Sequence, residues 1–293
     1  MSMIDLNCDL GEGFGNYVVG PDALLLKYIS SCSIACGYHG GDPLIILEAI
    51  KLGLKRNISF GAHPSYPDRQ GFGRRSMDLN PKEHYAFILY QISAIKGMVE
   101  SQGGRLNHVK LHGALYNDSA LNEDITRGIY KAISVIDEDL CVYGLANTAH
   151  EYIADKLGIS FIPEAFADRK YHSDGTLVSR SNPAAILGNI GEVIDQVMAL
   201  IHHQEVVSIE GKKVNIPAKT ICFHGDHART LPILKEVYKT LLEANENCKD
   251  INKREHVTPW IRESGKFKIG SKMIDTSIKS KLFQLKTLMK EVG

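Results

Sequence analysis

The sequence contains no apolar run that approaches the roughly 18–20 residues of a membrane-spanning helix, which excludes a typical membrane span. The formal net charge of the 293 residues is zero, so no overall basic charge favours binding to nucleic acid or to an anionic membrane. The first residues lack the basic and apolar stretches of a secretory signal. The six cysteines are scattered without a CxxC pair, so we expect reduced, buried thiols and a cytoplasmic protein.

Short apolar segments alternate with longer segments of helical periodicity along most of the chain. Repeated strand–helix units favour a parallel sheet, either as a closed barrel or as an open doubly wound sheet. Seven units whose strand ends carry polar residues favour the barrel, so we predict an α/β fold of the (β/α)7 type. The predicted strands are 3–8, 33–36, 58–61, 107–111, 141–145, 160–163 and 219–223, the predicted helices are 43–57, 80–104, 122–137, 148–157, 184–203 and 229–245, and a hairpin is predicted at 206–218.

The C-terminal part of the chain differs in charge from the rest. Residues 249–293 contain 11 Lys and Arg but only 5 Asp and Glu. We therefore predict a barrel domain at 1–248 and a basic extension at 249–293 that is helical at its end. Such a helix would cover the core or a subunit interface, and a tail that binds nucleic acid or a partner protein is the alternative.

Polar residues alternate within the first predicted strand. Asp5, Asn7 and Asp9 share one face because side chains alternate along a strand. Asp9 and Glu12 lie at the end of this strand, where a substrate could reach them. A row of buried polar residues is unfavourable unless the residues bind something, although Asp5 and Asn7 could instead satisfy neighbouring loops.

Three more strand ends carry histidines in glycine-rich or proline-rich surroundings. His39 lies between glycines in GYHGGD, and Asp42 follows either as a binding residue or simply as a helix N-cap. His63 begins a long loop in which Arg74 could bind a phosphate or a carboxylate. Lys110 and His112 lie two residues apart, with Asn117 beyond them.

A lysine inside a barrel must pair with an anion or shift its pKa. For Lys110 we expect Asp9 and Glu164 as partners. The last two candidate segments contribute Asp168 and Arg169 after one strand, and His224 and Asp226 after another. Three histidines and a carboxylate at strand ends could also bind zinc, iron or manganese. No compact metal-binding spacing is present, so no metal is expected, and a metal, if bound, would use Asp9, His63, His112 and His224.

These motifs together resemble the LamB/YcsF family over roughly residues 3–245. The resemblance implies a distorted barrel similar to those of glycoside hydrolases and deacetylases. It also implies that subunits B and C act together with this chain to open 5-oxo-L-proline to L-glutamate, with ATP as co-substrate. The matching segments are DLNCDLGEG, IACGYHGGD, GAHPSYPDRQGFGRR, HVKLHGALYN, EAFADRKYHSDGTLVSR and CFHGD.

Opening a lactam requires a general base, an acid for the leaving nitrogen and donors for the developing oxyanion. We expect Asp9 to be the base, His112 or His224 to be the proton donor, and Lys110 and Arg169 to bind anions. The alternatives are a stand-alone metal-dependent amidohydrolase or deacetylase, and a non-catalytic chain that activates its partners; a homo-oligomer also stays open. The predicted catalytic residues are Asp9, Glu12, Lys110, His112 and His224, and the predicted substrate-binding residues are Asn7, His39, Asp42, His63, Arg74, Asn117, Glu164, Asp168, Arg169 and Asp226.

Overall fold

A computed structural model describes residues 4–226 and 229–243, together with the backbone of two short strands at 266–269 and 272–275. Seven parallel strands close into a barrel. Within residues 4–243 the strands in chain order are β1 (Asp5–Leu10), β2 (Ser31–Ala35), β3 (Ser59–His63), β4 (Leu106–Lys110), β5 (Cys141–Leu145), β6 (Phe161–Phe166), β7 (Glu205–Val207), β8 (Lys213–Asn215) and β9 (Thr220–Phe223).

The barrel follows the order of the chain. Strands β1 to β6 pair successively, β6 then pairs with β9, and β9 pairs with β1 to close the barrel. Strands β7 and β8 form a separate antiparallel hairpin between the sixth and seventh barrel strands. The predicted seven-stranded barrel and the predicted hairpin are both confirmed, with strand ends displaced by up to three residues.

The side chains of β1 alternate between the barrel interior and the surrounding hydrophobic core. Leu6, Cys8 and Leu10 belong to the hydrophobic core. Asp5 and Asn7 point inward, because they contact residues of β5 and β4 on other sides of the barrel. The period-two pattern read from the sequence is therefore correct.

Helices connect the barrel strands, and several of them begin at a residue whose side chain caps the helix. The Asn80 side chain accepts from the backbone N–H groups of Lys82 and Glu83, and the Glu83 side chain accepts from the backbone of Asn80. The helices are α1 (Asp22–Leu25), α2 (Pro43–Leu54), α3 (Pro81–Ser101), α4 (Gly113–Leu121), α5 (Glu123–Ile136), α6 (Ala149–Leu157), α7 (Ile190–His203) and α8 (Thr230–Glu243).

Three differences from the predicted helices have local causes. Helix α1 has only four residues, too few for a periodic signal. Helix α4 escapes prediction because Gly113, Asn117 and Ser119 are weak helix formers. Helix α7 begins at Ile190 rather than at residue 184, because the side chain of Asn189 caps it.

The basic extension is only partly described. Strands β10 (Lys266–Ile269) and β11 (Lys272–Asp275) form an antiparallel hairpin within it. The predicted terminal helix and the predicted domain boundary at residue 248 lie outside the described residues. Within the described part of the chain, no helix is both long enough and apolar enough to cross a membrane.

Candidate active site at the barrel mouth

At the start of β1, Asp5 accepts hydrogen bonds from four hydroxyl groups, one of which is Ser30 Oγ at 2.5 Å from its Oδ1. Its carboxylate oxygens lie 2.6 Å from Ser31 Oγ, 2.7 Å from Thr220 Oγ1 and 3.3 Å from Tyr143 Oη. Because these three partners come from β2, β9 and β5, Asp5 ties the strands together from inside. This supports the alternative in which Asp5 satisfies hydrogen-bonding groups of neighbouring segments instead of binding a substrate.

Lys110, the last residue of β4, is the centre of the next layer. Its ammonium group lies 2.5 Å from Asp9 Oδ1, 2.9 Å from Asn7 Oδ1, 3.0 Å from Cys222 Sγ and 3.3 Å from Glu164 Oε1. The expected pairing with Asp9 and Glu164 is therefore correct. Only 1% of the Lys110 side chain is exposed, and its donors are directed at protein groups. Lys110 therefore contacts and orients Asp9, and its ammonium group is buried away from solvent.

The ionisation of these groups follows from their mutual contacts. Burial would raise the pKa of Asp9, but His63 and Lys110 hold it well below its ordinary value. Burial would lower the pKa of Lys110, but Asp9, Cys222 and Glu164 raise it well above its ordinary value. Burial raises the pKa of Glu164 despite the neighbouring Lys110. Asp9 and Lys110 therefore form a buried ion pair at the open end of the barrel.

Beside this pair lies the histidine cluster, which we define as Glu12, His39, His63 and His112. His39 Nε2 lies 3.1 Å from Glu12 Oε1, and the rings of His39 and His112 are stacked at 3.6 Å with an interplanar angle of 2°. Burial lowers the pKa of both His39 and His112 well below the ordinary value. Burial, reinforced by Asp9, raises the pKa of Glu12 well above its ordinary value.

Two rings of this cluster are oriented by backbone carbonyl groups. His63 Nδ1 donates to the carbonyl oxygen of Lys110 at 2.7 Å. His112 Nε2 donates to the carbonyl oxygen of Phe72 at 2.8 Å. The remaining nitrogens, His63 Nε2 and His112 Nδ1, face each other at 2.9 Å. His63 Nε2 also lies 3.3 Å from Asp9 Oδ2, which connects the cluster to the ion pair.

The loop that carries Phe72 is held close to His112 by glycines. Phe72 itself has φ 54°, a left-handed conformation that is unfavourable for a bulky residue. Gly73 and Gly113 also have positive φ, and the Ala114 N–H donates to the Gly73 carbonyl at 2.8 Å. Cβ atoms at either glycine would collide with neighbouring groups of this loop contact. The strained backbone at Phe72 therefore carries the carbonyl group that orients His112.

On the other side of Asp9, His224 and Asp168 form a hydrogen-bonded pair. His224 Nδ1 lies 2.8 Å from Asp168 Oδ1, and the side chain of His224 is 13% exposed. Arg74 Nη2 lies 2.5 Å from Asp226 Oδ2. Burial opposes ionisation of Asp168, yet His224 and Arg180 hold its pKa below the ordinary value. This side of the mouth therefore combines a histidine near solvent with two arginines.

Asp9 belongs to both sides of the site. Oxygen, sulfur and nitrogen atoms of Asp9, Cys222 and His224 lie within 4.8 Å of one another. Similarly, the side-chain ligand atoms of Glu12, His39, His63 and His112 lie within 4.8 Å of one another. The predicted metal set is therefore divided, because His63 and His112 converge with Glu12 whereas Asp9 and His224 converge with Cys222.

Three of the predicted binding residues have other positions or partners. Asp42 caps α2 and accepts from the backbone of Gly15 at 2.7 Å, so the alternative given for it holds. Asn117 is exposed on α4 instead of following a strand into the mouth. Arg169 is buried, and its Nη2 donates to the carbonyl oxygen of Val178 at 2.5 Å, so this nitrogen holds the loop that carries it.

Cys222, Arg180 and the carbonyl of Phe72 contribute to the site although they were not among the predicted site residues; all three lie within the quoted motifs. Cys222 is two residues before His224, so strand alternation could have placed both on one face. Burial and the neighbouring Arg74 lower the pKa of Arg180, while Asp168 and Asp226 raise it. The guanidinium of Arg180 therefore lies near the acidic groups of the mouth. A backbone carbonyl leaves no sequence signal.

Comparisons with known proteins place the chain in a family. The profile of the LamB/YcsF family matches residues 4–256. The chain belongs to the LamB/YcsF family. Among family relatives, the chain is 46% identical over 241 residues to the A subunit of 5-oxoprolinase from Bacillus cereus strain AH187, covering 82% of this chain and 95% of that protein. It is 45% identical, with the same coverage, to the corresponding 5-oxoprolinase A subunit of Bacillus thuringiensis subsp. konkukian strain 97-27.

A solved structure shows the same LamB/YcsF fold. The crystal structure of the lactam utilization protein from Thermus thermophilus superposes with a TM-score of 0.80. Its sequence is 35% identical, and the match covers 85% of this chain and 99% of that chain. The fold of this chain is therefore shared with that protein.

Proposed function

We propose that this protein opens 5-oxo-L-proline to L-glutamate as the A-type subunit of an ATP-dependent, cytoplasmic 5-oxoprolinase, together with subunits B and C. The observation that carries this proposal is its 46% identity to a 5-oxoprolinase A subunit over 95% of that protein. The name of the Thermus relative supports a lactam as substrate class. The mouth of the barrel supplies the groups that lactam hydrolysis requires.

Asp9 is the general base in this proposal. Its low pKa keeps it ionised, since His63 and Lys110 offset the effect of burial. Only 6% of the residue is exposed, so few water molecules compete for its carboxylate. Asp9 accepts a proton from the water that attacks the ring carbon, while Lys110 holds its other oxygen in place.

His224 is the proton donor to the leaving ring nitrogen. It lies near the mouth within 4.8 Å of Asp9 and is oriented by Asp168. His112 is less suited to this role, because its Nε2–H is already donated to the Phe72 carbonyl. The structure thus gives a reason to prefer one of the two expected donors.

Arg74 and Arg180 bind the carboxylate of 5-oxo-L-proline in this scheme. The side chain of Arg74 pairs with Asp226. Because it is also one-third exposed, a substrate anion can reach it. ATP, as co-substrate of the whole complex, phosphorylates the lactam oxygen, which releases ADP and makes the ring carbon more electrophilic. One water adds to this carbon, and the carbon–nitrogen bond then breaks as the nitrogen takes a proton, which leaves γ-glutamyl phosphate. A second water hydrolyses this acyl phosphate to L-glutamate and phosphate. An unstrained lactam needs this coupling because its opening is otherwise uphill.

The test is glutamate formation from 5-oxo-L-proline and ATP by subunits B and C, with and without this chain. We expect glutamate only when this chain is present. Asp9→Asn should reduce kcat by a factor of about 10²–10⁴, as expected for loss of a general base. The exposed Asp195 offers a matched control, because Asp195→Asn removes the same charge from α7.

Two results would contradict the proposal. Equal glutamate formation without this chain would show that the reaction does not need it. Full turnover by a folded Asp9→Asn variant would assign the chain a non-catalytic, activating role instead.

A further inference from the structure

The histidine cluster contains two ring nitrogens that face each other at 2.9 Å. A carbonyl oxygen can only accept, so His63 Nδ1 and His112 Nε2 must both carry hydrogens. In neutral rings the other nitrogens, His63 Nε2 and His112 Nδ1, are then bare acceptors. These two acceptors lie 2.9 Å apart in a buried site. Two acceptors at this distance repel unless they share a proton or both bind one metal ion.

The arrangement matches the surroundings of metal-binding histidines. A histidine that binds a metal usually donates its second ring N–H to a carbonyl or carboxylate group, which fixes the tautomer. Both His63 and His112 do this, through carbonyl groups of two different segments. Their rings are nearly perpendicular, at 85°, so both lone pairs can be directed to one point.

Glu12 completes the donor set. Its Oε1 lies 3.5 Å from His112 Nδ1, and the ligand atoms of Glu12, His63 and His112 all lie within 4.8 Å of one another. Neighbouring ligands of a tetrahedral zinc ion with metal–nitrogen distances of ~2.0–2.1 Å are about 3.3 Å apart. The observed separations of 2.9 and 3.5 Å bracket that value.

His39 has a different role from the other two histidines. Its ring is stacked on that of His112 with an interplanar angle of 2°, so the in-plane lone pairs of the two rings cannot meet at one ion. Its Nε2 instead lies 3.1 Å from Glu12 Oε1 and can donate to it. His39 therefore orients the carboxylate, as groups behind the ligands of a metal site commonly do.

We propose that Glu12, His63 and His112 bind one transition-metal ion, with zinc as the preferred metal, beside Asp9. Two imidazoles and one carboxylate suit zinc and leave at least one coordination position for water. Such a water would be more acidic than bulk water, and Asp9 Oδ2, 3.3 Å from His63 Nε2, is adjacent to it. The site goes beyond the proposed lactam hydrolysis, and its occupancy can be measured without that reaction.

The test uses the full-length, untagged protein after treatment with a chelator, without lactam or ATP. Co²⁺ is the probe, because its visible absorption reports coordination, and Zn²⁺ affinity follows from competition. We expect one Co²⁺ per chain, displaced by Zn²⁺. His63→Ala, His112→Ala and Glu12→Gln should each weaken binding by at least about 100-fold, and His39→Phe by about 10–100-fold.

His172→Ala is the matched control, since this histidine is 43% exposed, is bound to Glu210 and lies outside the cluster. It should bind Co²⁺ like the unmodified protein. Absence of stoichiometric binding by the unmodified protein would overturn the proposal and leave a proton shared between His63 and His112 as the explanation. Equal binding by His112→Ala and His172→Ala would also overturn it.

A folding defect in the alanine variants would not prevent a decision. Circular dichroism identifies such variants, and Glu12→Gln, which preserves side-chain size, then replaces them. The unmodified protein gives a further readout, because Zn²⁺ should raise its Tm if it binds the folded state. An unchanged Tm together with an unchanged Co²⁺ spectrum would reject the site.

Discussion

The ammonium group of Lys110 lies 2.5 Å from Oδ1 of Asp9 at the open end of the barrel, and both side chains are at least 93% buried. This contact fixes the carboxylate that we propose as the general base. Because neither charge can be hydrated by bulk water, each depends on the other for its ionised state.

Replacing only Lys110 should therefore be strongly destabilising. Lys110→Met leaves the charge of Asp9 uncompensated in the barrel, at an expected loss of about 3–5 kcal/mol in the free energy of unfolding. Adding Asp9→Asn should restore part of this loss, which a urea-denaturation double-mutant cycle measures. Lys96→Met is the control, since Lys96 pairs with Asp137 near the surface and should lose only about 0–1 kcal/mol. Equal losses in the free energy of unfolding for Lys110→Met and Lys96→Met would refute the dependence of the Asp9 charge on Lys110.

The pair formed by His224 and Asp168 predicts a change in pH dependence. Burial lowers the pKa of His224, while Asp168 raises it, Arg180 lowers it and Asp9 raises it. Removing the Asp168 charge should therefore lower the pKa of His224 further. If protonated His224 is the acid, the alkaline limb of the kcat profile moves to lower pH.

The measurement is the pH profile of glutamate formation by the reconstituted complex containing Asp168→Asn. Asp195→Asn, which removes a carboxylate on the exposed side of α7, should leave the profile unchanged. A lower kcat with an unmoved alkaline limb would exclude His224 as the titrating acid.

Asp22 predicts a pH dependence of stability. Burial raises its pKa from 3.8 to about 6, although the Gly11 N–H donates to it. Between about pH 4 and 6 the folded state therefore binds more protons than the unfolded state, so this contribution to stability falls as pH rises. At 1.36 kcal/mol per unit, the difference of about two units corresponds to on the order of 3 kcal/mol.

Asp22→Asn should remove this loss, because an amide oxygen can still accept from Gly11 but does not ionise. Urea denaturation from pH 4 to pH 7 should show the variant gaining stability relative to the unmodified protein as pH increases. The exposed Asp155 gives the control, Asp155→Asn, which should keep a constant difference. A constant difference for Asp22→Asn would disprove the inferred titration.

Gly113 and Gly97 predict opposite effects of the same substitution. Gly113 has φ +59°, and a Cβ atom there would collide with the carbonyl of Gly73. Gly113→Ala should lower the free energy of unfolding by at least ~2 kcal/mol and disturb the Phe72–His112 contact. A Cβ atom at Gly97, in α3, would meet nothing within 4 Å, so Gly97→Ala should add about 0.5–1 kcal/mol. Similar effects at the two positions in thermal unfolding would contradict this account.

Much of the site was readable from strand alternation. Asp5, Asn7 and Asp9 face the interior as expected, and Asp9 and Glu164 were expected as partners of Lys110 because a lysine inside a barrel needs an anion. Asp42 shows the limit of such reasoning, because a residue after a strand can equally be the cap of the next helix. Asn117 shows another limit, since weak helix formers concealed the helix that carries it outward.

The sequence by itself determined the repeated strand–helix units, because periodicity, caps and turn residues act locally; it favoured the barrel over an open sheet, and closure is shown by the structure. It also determined which residues reach the mouth, because parallel strands present their carboxyl ends on one side. Only the tertiary structure decided that His63 and His112 face each other, that Glu12 joins them, and that Arg169 binds its own loop. Those choices depend on barrel closure and on backbone carbonyls such as that of Phe72, which bring together groups far apart in the chain.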